Sequence, residues 1–337
     1  ILRTLSGNLI TPQMQWLDQT GLATGQQYTN MSLGGSASGP IKADRAFFSS
    51  SFQYDRRLQD LQTLLSESSL GFETAGVAAD SVARLLNILG ASNVPITVGG
   101  YSPQRIVNRA TFLNSFDYVQ ANSNRGNTFA ITLSGNYSGT APVGGGGGGF
   151  GGFGGGAASL FTPTRDGTRD SYGGALQARH SGMLGFQGIF TESTIGYNVS
   201  RNASDPFAIL PAGTVRVNSQ LVDGSAAVSS LLFGGSPSLN TASTNASLAA
   251  NNTMSWFSND NRHRVKFTSE LRRDDFSQNV AFNQYGSFSY NSLVDLQSNT
   301  PASFTRTLSP RTRTGGQLVG AMSLGDAWRP TNNLQVQ

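Results

Sequence analysis

Two-residue alternation dominates the chain. From Thr128 to Tyr137 the odd positions are Phe129, Ile131, Leu133, Gly135 and Tyr137, and the even ones are Thr128, Ala130, Thr132, Ser134 and Asn136. Successive side chains of a strand point to opposite faces, so this spacing predicts a strand with one apolar and one polar face. Between Arg264 and Arg272, Val265, Phe267, Ser269 and Leu271 form one face; Arg264, Lys266, Thr268, Glu270 and Arg272 form the other. Ala46, Phe48, Phe52 and Tyr54 stand opposite Ser49, Ser51, Gln53 and Asp55 in the same way. The pattern returns at Ala110, Phe112, Phe116 and Tyr118, at Leu248, Met254 and Trp256, and more weakly at Leu318, Met322 and Leu324.

Two architectures satisfy this alternation. A soluble sandwich buries the apolar faces in a core, whereas a membrane barrel turns them to lipid and keeps the polar faces inside. Connection lengths separate the two. Short joins are expected at Gly39–Asp44, Ala121–Gly126, Ser181–Leu184, Ser258–Asn261 and Gly325–Thr331. Long ones are expected at Leu58–Ser102, Gly139–Arg169, Arg201–Ala246 and Asp275–Arg311. Strict short-long alternation over about ten strands is what outer-membrane barrels show, with short periplasmic turns and long extracellular loops. A sandwich has no reason to place every long loop at one end, and compact domains rarely carry structureless loops beyond about 15 residues. Tyr54, Tyr118, Tyr137, Tyr197 and Trp256 fall near the expected strand ends, where amphipathic rings favour a membrane interface.

The first long loop contains the one good helix signal, Ala79 to Leu89, with Val82, Leu85, Leu86 and Leu89 on one face, Asp80 able to cap it and Gly90 able to end it. That helix is expected to pack on its own loop. Gly144 to Gly156 holds eleven glycines and two phenylalanines, and reads as a flexible loop crown. In the third long loop, Val215–Leu221 and Ala227–Phe233 alternate locally and predict a hairpin.

Composition narrows the chemistry. Charged residues are 12% of the chain, about half the usual share, and 41 of 337 residues are glycine. The 32 aromatic residues argue against a disordered tail. Zero cysteine removes thiol catalysis and cysteine-held zinc. No run of about 18 apolar residues exists, so no spanning helix is expected. The net charge of +4 comes from scattered arginines, with Lys42 and Lys266 the only lysines, and so does not suggest a nucleic-acid partner. His180 and His263 are isolated and read as polar strand-end residues. No Gly-x-Ser-x-Gly elbow, phosphate-cradling loop or calcium loop is present, so no catalytic, metal or cofactor residue is assigned and no enzyme is expected. Arg179, Lys266, Glu270 and Arg272 are the side chains best placed to contact something inside a barrel; interior ion pairs are the competing reading.

Three segments resemble a known family. Ser32-Leu33-Gly34-Gly35-Ser36-Ala37-Ser38-Gly39-Pro40-Ile41 followed by Asp44-Arg45-Ala46-Phe47-Phe48 is similar to the strand-turn-strand that opens many TonB-dependent receptor barrels. Asn283-Gln284-Tyr285-Gly286-Ser287-Phe288-Ser289-Tyr290-Asn291-Ser292-Leu293, with Pro301-Ala302-Ser303-Phe304, resembles an extracellular segment of that family. Gln317 to Gln337, with Leu324-Gly325-Asp326-Ala327-Trp328-Arg329-Pro330 and Leu334-Gln335-Val336-Gln337, resembles that family's strand, periplasmic turn and next strand, and the nearest subgroup is the Oar-like receptors with a carboxypeptidase-regulatory-like domain. The resemblance implies an active importer of the outer membrane whose plug domain contacts the TonB complex, with outer-membrane lipid and an imported ligand as further partners and no cofactor.

The expected fold is therefore all-β: a partial transmembrane antiparallel barrel of about ten strands with one short loop helix. Ile1-Leu2-Arg3 carries no initiator Met or signal pattern, and no plug or terminal aromatic strand is seen. Residues 1–337 thus read as the N-terminal half of a receptor barrel, an internal fragment. A passive porin-like barrel and a secreted β-rich adhesin are the alternatives.

Overall fold

The computed structural model describes residues 2–9, 26–61, 63–120, 126–144, 160–184, 188–221, 223–260, 262–280, 282–309, 312–331 and 334–337. Eleven strands form one sheet, the wall: β1 (Leu2–Leu9), β2 (Gln26–Lys42), β3 (Ala46–Asp60), β4 (Gln104–Val119), β5 (Thr128–Ala141), β6 (Gly167–Met183), β7 (Phe190–Pro206), β10 (Thr241–Phe257), β11 (His263–Val280), β14 (Thr312–Thr331) and β15 (Leu334–Val336). They lie in chain order and every neighbouring pair is antiparallel. A second sheet of four strands, in the order β13 (Ser303–Thr305), β12 (Ser287–Tyr290), β8 (Ala212–Gln220), β9 (Ala226–Gly234), is built wholly from long connections. The remaining elements are α1 (Ser69–Thr74), α2 (Ala79–Ala91), α3 (Leu293–Gln297) and a single 3-10 turn at Pro163–Arg165.

The all-β antiparallel architecture and the alternation of short and long connections agree with the sequence reading. The tight turn between β2 and β3 shows how local chemistry sets it. Asp44 adopts φ 58°, a left-handed conformation that Asp tolerates, and the Arg45 amide closes the turn on the Lys42 carbonyl at 3.1 Å.

Strand pairing fixes the faces, because directly opposed residues of an antiparallel pair share a side. One register row runs Phe52–Phe112–Gly135–Gly174–Val199. Another runs Leu133–Leu176–Tyr197–Leu248. Continued to β14, the apolar side collects Val265, Phe267 and Leu271 opposite Asp326, Leu324 and Gly320. These side chains have nothing packed over them: Phe52 is 53% exposed, Ile195 57% and Met322 80%. Among the described residues, the cluster of buried hydrophobic side chains lies elsewhere, in the long connections.

Five details differ from the sequence reading. The large sheet has eleven strands, since Leu2–Leu9 pairs with β2 although its leucines do not alternate. Gly325 to Thr331, where a short join is expected, remain in β14, with Gly325 and Asp326 opposite Lys266 and Val265. Helix α2 runs on through Gly90 to Ala91, and Ala78, not Asp80, occupies its cap position. The apolar face of α2 is buried against two other connections as well as its own. Tyr197 lies mid-strand because β7 extends through Pro206. The glycine run beyond Gly144 and the turn at residues 121–125 lie outside the described residues.

Candidate functional site

The polar side of the wall is rich in hydroxyls and amides. On β5 it carries Thr132, Ser134, Asn136 and Ser138; on β7, Thr194, Asn198, Ser200 and Asn202; on β10, Asn245, Ser247, Asn251 and Thr253. Small residues lie between them: Gly173 and Ala175 on β6, Gly196 on β7 and Ala249 on β10. The surface is dense in hydrogen-bonding groups.

All four sequence-selected residues stand on this side. Arg179 on β6 and Glu270 on β11 occupy one cross-strand row, joined through Thr194 and Asn251. Lys266 and Arg272 flank Glu270 on the same face of β11. Arg179 is ion-paired with Glu192 of β7. Arg272 Nε donates to Asp274 Oδ1 at 2.9 Å, and Gln317 Nε2 donates to the other oxygen of that carboxylate at 3.1 Å. The structure therefore does not gather the four into one cluster. Two are neutralised locally, while Lys266 and Glu270 make no ion pair among the described residues. Glu192 and Gln317 escaped the sequence reading because their partners are set by register across strands.

On the apolar side the belt is bounded by aromatics at both levels. Toward the short turns, the Tyr118, Phe129 and His180 rings follow one another at 6.5 and 4.5 Å between centroids. Toward the long connections, Tyr54, Tyr137 and Tyr172 share a row through Ala110. There the Tyr54 hydroxyl donates to Asn108 at 3.0 Å and the Tyr137 hydroxyl to Asp170 at 3.0 Å. His263 and His180 are strand-end residues as expected; His263 Nδ1 lies 2.6 Å from Asp326 Oδ2. Among the described residues no group of His, Asp or Glu side chains is placed to hold a metal ion.

Above the tyrosine row, four long connections converge into a lobe. Its interior joins Leu64, Phe72, Val77, Val82, Leu85, Ile88 and Leu89 of the first connection to Val215, Val217, Leu231 and Phe233 of the third and Tyr290, Leu293 and Leu296 of the fourth. The second connection adds a parallel edge to β9: the Thr162 amide donates to the Leu232 carbonyl at 3.0 Å, and the Leu232 amide to Leu160 at 2.7 Å. The hairpin expected at Val215–Phe233 is thus present as β8 and β9, built into a larger sheet by β12 along β8.

Two consecutive buried residues tie this lobe to the wall. The Arg165 side chain reaches up to the carbonyls of Gly213 and Phe233, at 3.2 and 3.3 Å. The Asp166 carboxylate accepts the Gly144 amide at 2.9 Å, the Gly167 amide at 2.8 Å and the Tyr101 hydroxyl at 3.4 Å. Its carbonyl accepts the Phe207 amide at 2.8 Å. Burial pushes the Asp166 carboxyl above its ordinary range, although the amides of Gly167 and Gly144 and the charge of Arg105 oppose the shift. Burial also brings the Arg165 guanidinium down to about 10, and burial together with the Asp166 charge raises the Tyr101 phenol. The sequence Thr162-Pro163-Thr164-Arg165-Asp166 carries no pattern that announces this role.

No protein-family model and no curated protein matches the chain. Among solved structures it is similar to the outer membrane transporter YddB from Escherichia coli, at 14% identity and a TM-score of 0.49, over 90% of this chain and 32% of that one. It is also similar to the siderophore receptor PiuA from Acinetobacter baumannii, at 10% identity and a TM-score of 0.35, over 92% of this chain and 41% of that one. The chain thus spans less than half the length of either. Both scores fall below one half, so the fold assignment stands on the sheet's own geometry.

Proposed function

We propose that the chain forms the wall and outer loops of an outer-membrane β-barrel that imports a ligand, of the TonB-dependent receptor type and, on its sequence motifs, of the Oar-like subgroup. One observation carries this reading. Most of the large apolar side chains of the wall stand on one bare face, with Phe47, Leu113, Phe276 and Val319 on the polar side, in bands about as long as the 9–11 residues a membrane strand needs, while the hydrophobic core found among the described residues belongs to the lobe. A soluble sheet leaves no such face uncovered. Rings at both margins of the band suit the two interfaces of a bilayer.

In this reading the short turns are periplasmic, the lobe is extracellular, and the polar side lines the lumen. Residues 1–337 supply part of the barrel; the plug and the contact with the TonB complex belong to other parts of the protein. Lys266 and Glu270 are the wall's candidates for touching cargo, and Arg179 and Arg272 stabilise the lumen through Glu192 and Asp274. No step of chemistry is assigned to any residue.

The test is fractionation of cells expressing the tagged full-length gene, followed by uptake assays with and without an energised inner membrane. Recovery in the detergent-resistant outer membrane with energy-dependent uptake supports the importer. Outer-membrane recovery with energy-independent diffusion would favour a porin-like barrel, and release into the medium a secreted adhesin.

A further inference from the structure

Connections that leave the wall at four different places share one interior, and none of them holds together alone. The β8–β9 pair by itself is a two-stranded hairpin, a form of marginal stability in water. Helix α2, with 13 residues, is near the length at which isolated helices are marginal. Each becomes stable only by covering the other: Leu85, Val215 and Leu231 are fully buried within the same cluster. Polar contacts repeat this pattern between connections. The Ser229 hydroxyl lies 3.1 Å from the Ala75 carbonyl, joining third to first. The Leu64 amide donates to Phe161 at 3.0 Å, joining first to second. The Ala212 amide donates to Gly286 at 2.8 Å and the Asn283 amide to Pro237 at 2.6 Å, joining third and fourth.

We propose that the lobe opens and closes as one cooperative unit, with the Arg165–Asp166 pair as its tie to the outer ends of β4 to β7. The four connections then do not act as separate fingers. Their shared core is filled by side chains, so displacing one connection displaces all. This holds whether or not the wall lies in a membrane.

The test is hydrogen exchange read by mass spectrometry on the full chain in detergent micelles. Leu85→Ala opens a cavity in α2, and Leu231→Ala opens one in β9. Each is expected to speed exchange by a common factor, about tenfold or more, in α2, β8, β9 and β12 together, while the central amides of β5 and β6 keep their rates. Acceleration confined to residues 69–91 in the first variant and to 212–234 in the second would overturn the proposal. Should Leu85→Ala not fold, Val82→Ala removes less volume and gives the same comparison. Arg165→Met keeps the bulk but frees the Gly213 and Phe233 carbonyls. Faster exchange throughout the lobe supports the tie, and a change limited to the ends of β8 and β9 removes it.

Discussion

The Gly144 amide donates to the Asp166 carboxylate at 2.9 Å, between residues 22 apart in the chain. The same carboxylate accepts the Gly167 amide and the Tyr101 hydroxyl. One short side chain thereby gathers the outer ends of β4, β5 and β6, and its own carbonyl adds the residue that follows β7.

Asp166→Ala leaves those donors without their acceptor. The expected cost is about 2 kcal/mol of lobe stability, since each stranded buried donor costs on the order of 1–3 kcal/mol and relief from burying a charge offsets part of it. Asp166→Asn keeps one oxygen acceptor and should cost less. Denaturant titration followed by exchange at β8 and β9 measures both.

The pH dependence has a definite sign. The folded-state pKa of Asp166 lies above the ordinary value of 3.8 because of burial. The Asp166 contribution to lobe stability is therefore fully present below about 3.8, with the carboxyl protonated in both states, and is lost as pH rises through the folded value. Glu67, also raised by burial, acts in the same direction. Asp223, lowered by hydrogen bonds from Ser225 in the β8–β9 turn, is fully exposed and opposes them. Urea midpoints between pH 4 and 7 should fall with rising pH in the parent chain, and the slope should flatten in the Asp166→Asn, Glu67→Gln double variant.

Neighbouring positions on β6 separate the faces. Leu176 stands in the middle of the apolar belt, between Leu133 and Tyr197, and Gln177 stands on the polar side. Leu176→Arg should lower stability in lipid by about 2–4 kcal/mol, and Gln177→Arg by at most about 1 kcal/mol. Equal effects in refolding titrations into vesicles would remove the membrane assignment.

Gly213 marks a close approach in the lobe. A methyl group added there would come within 2.3 Å of the Phe233 ring, which is itself buried. Gly213→Ala should cost about 1–3 kcal/mol by pushing that ring out of place, visible as a lower denaturation midpoint of the lobe. Gly224→Ser is a useful contrast: no atom stands within 4 Å of an added methyl there, and only its positive φ of 81° opposes a side chain.

The wall was readable from the sequence because its information is local. Period-two alternation names the faces of β5 and β11 residue by residue, and the placement of Arg179, Lys266, Glu270 and Arg272 on the polar side follows directly. Where local signals compete, the reading slipped. Gly325-Asp326 has the composition of a turn, yet long-range pairing with β11 keeps it extended. The lobe was illegible for a different reason. Leu85 and Leu231 are far apart in sequence, and neither segment's own pattern indicates which surface will cover it. Helix α2 and the β8–β9 hairpin were each visible, while their union was not. Asp166 shows the same limit, since the partners of its carboxylate and carbonyl together depend on three separate connections meeting at one point.

The strands outrun the belt. On β6 the outermost belt aromatic is Tyr172, yet the strand begins at Gly167. On β3 it continues from Tyr54 to Asp60, and on β11 from Leu271 to Val280. At roughly 3.3 Å per residue this adds a collar on the order of 15–30 Å along the strands. On the membrane reading, the lobe is carried on a stem, clear of the lipid headgroups. A large molecule arriving from outside would touch it before the bilayer, and could reach the stem from the side without entering the pore.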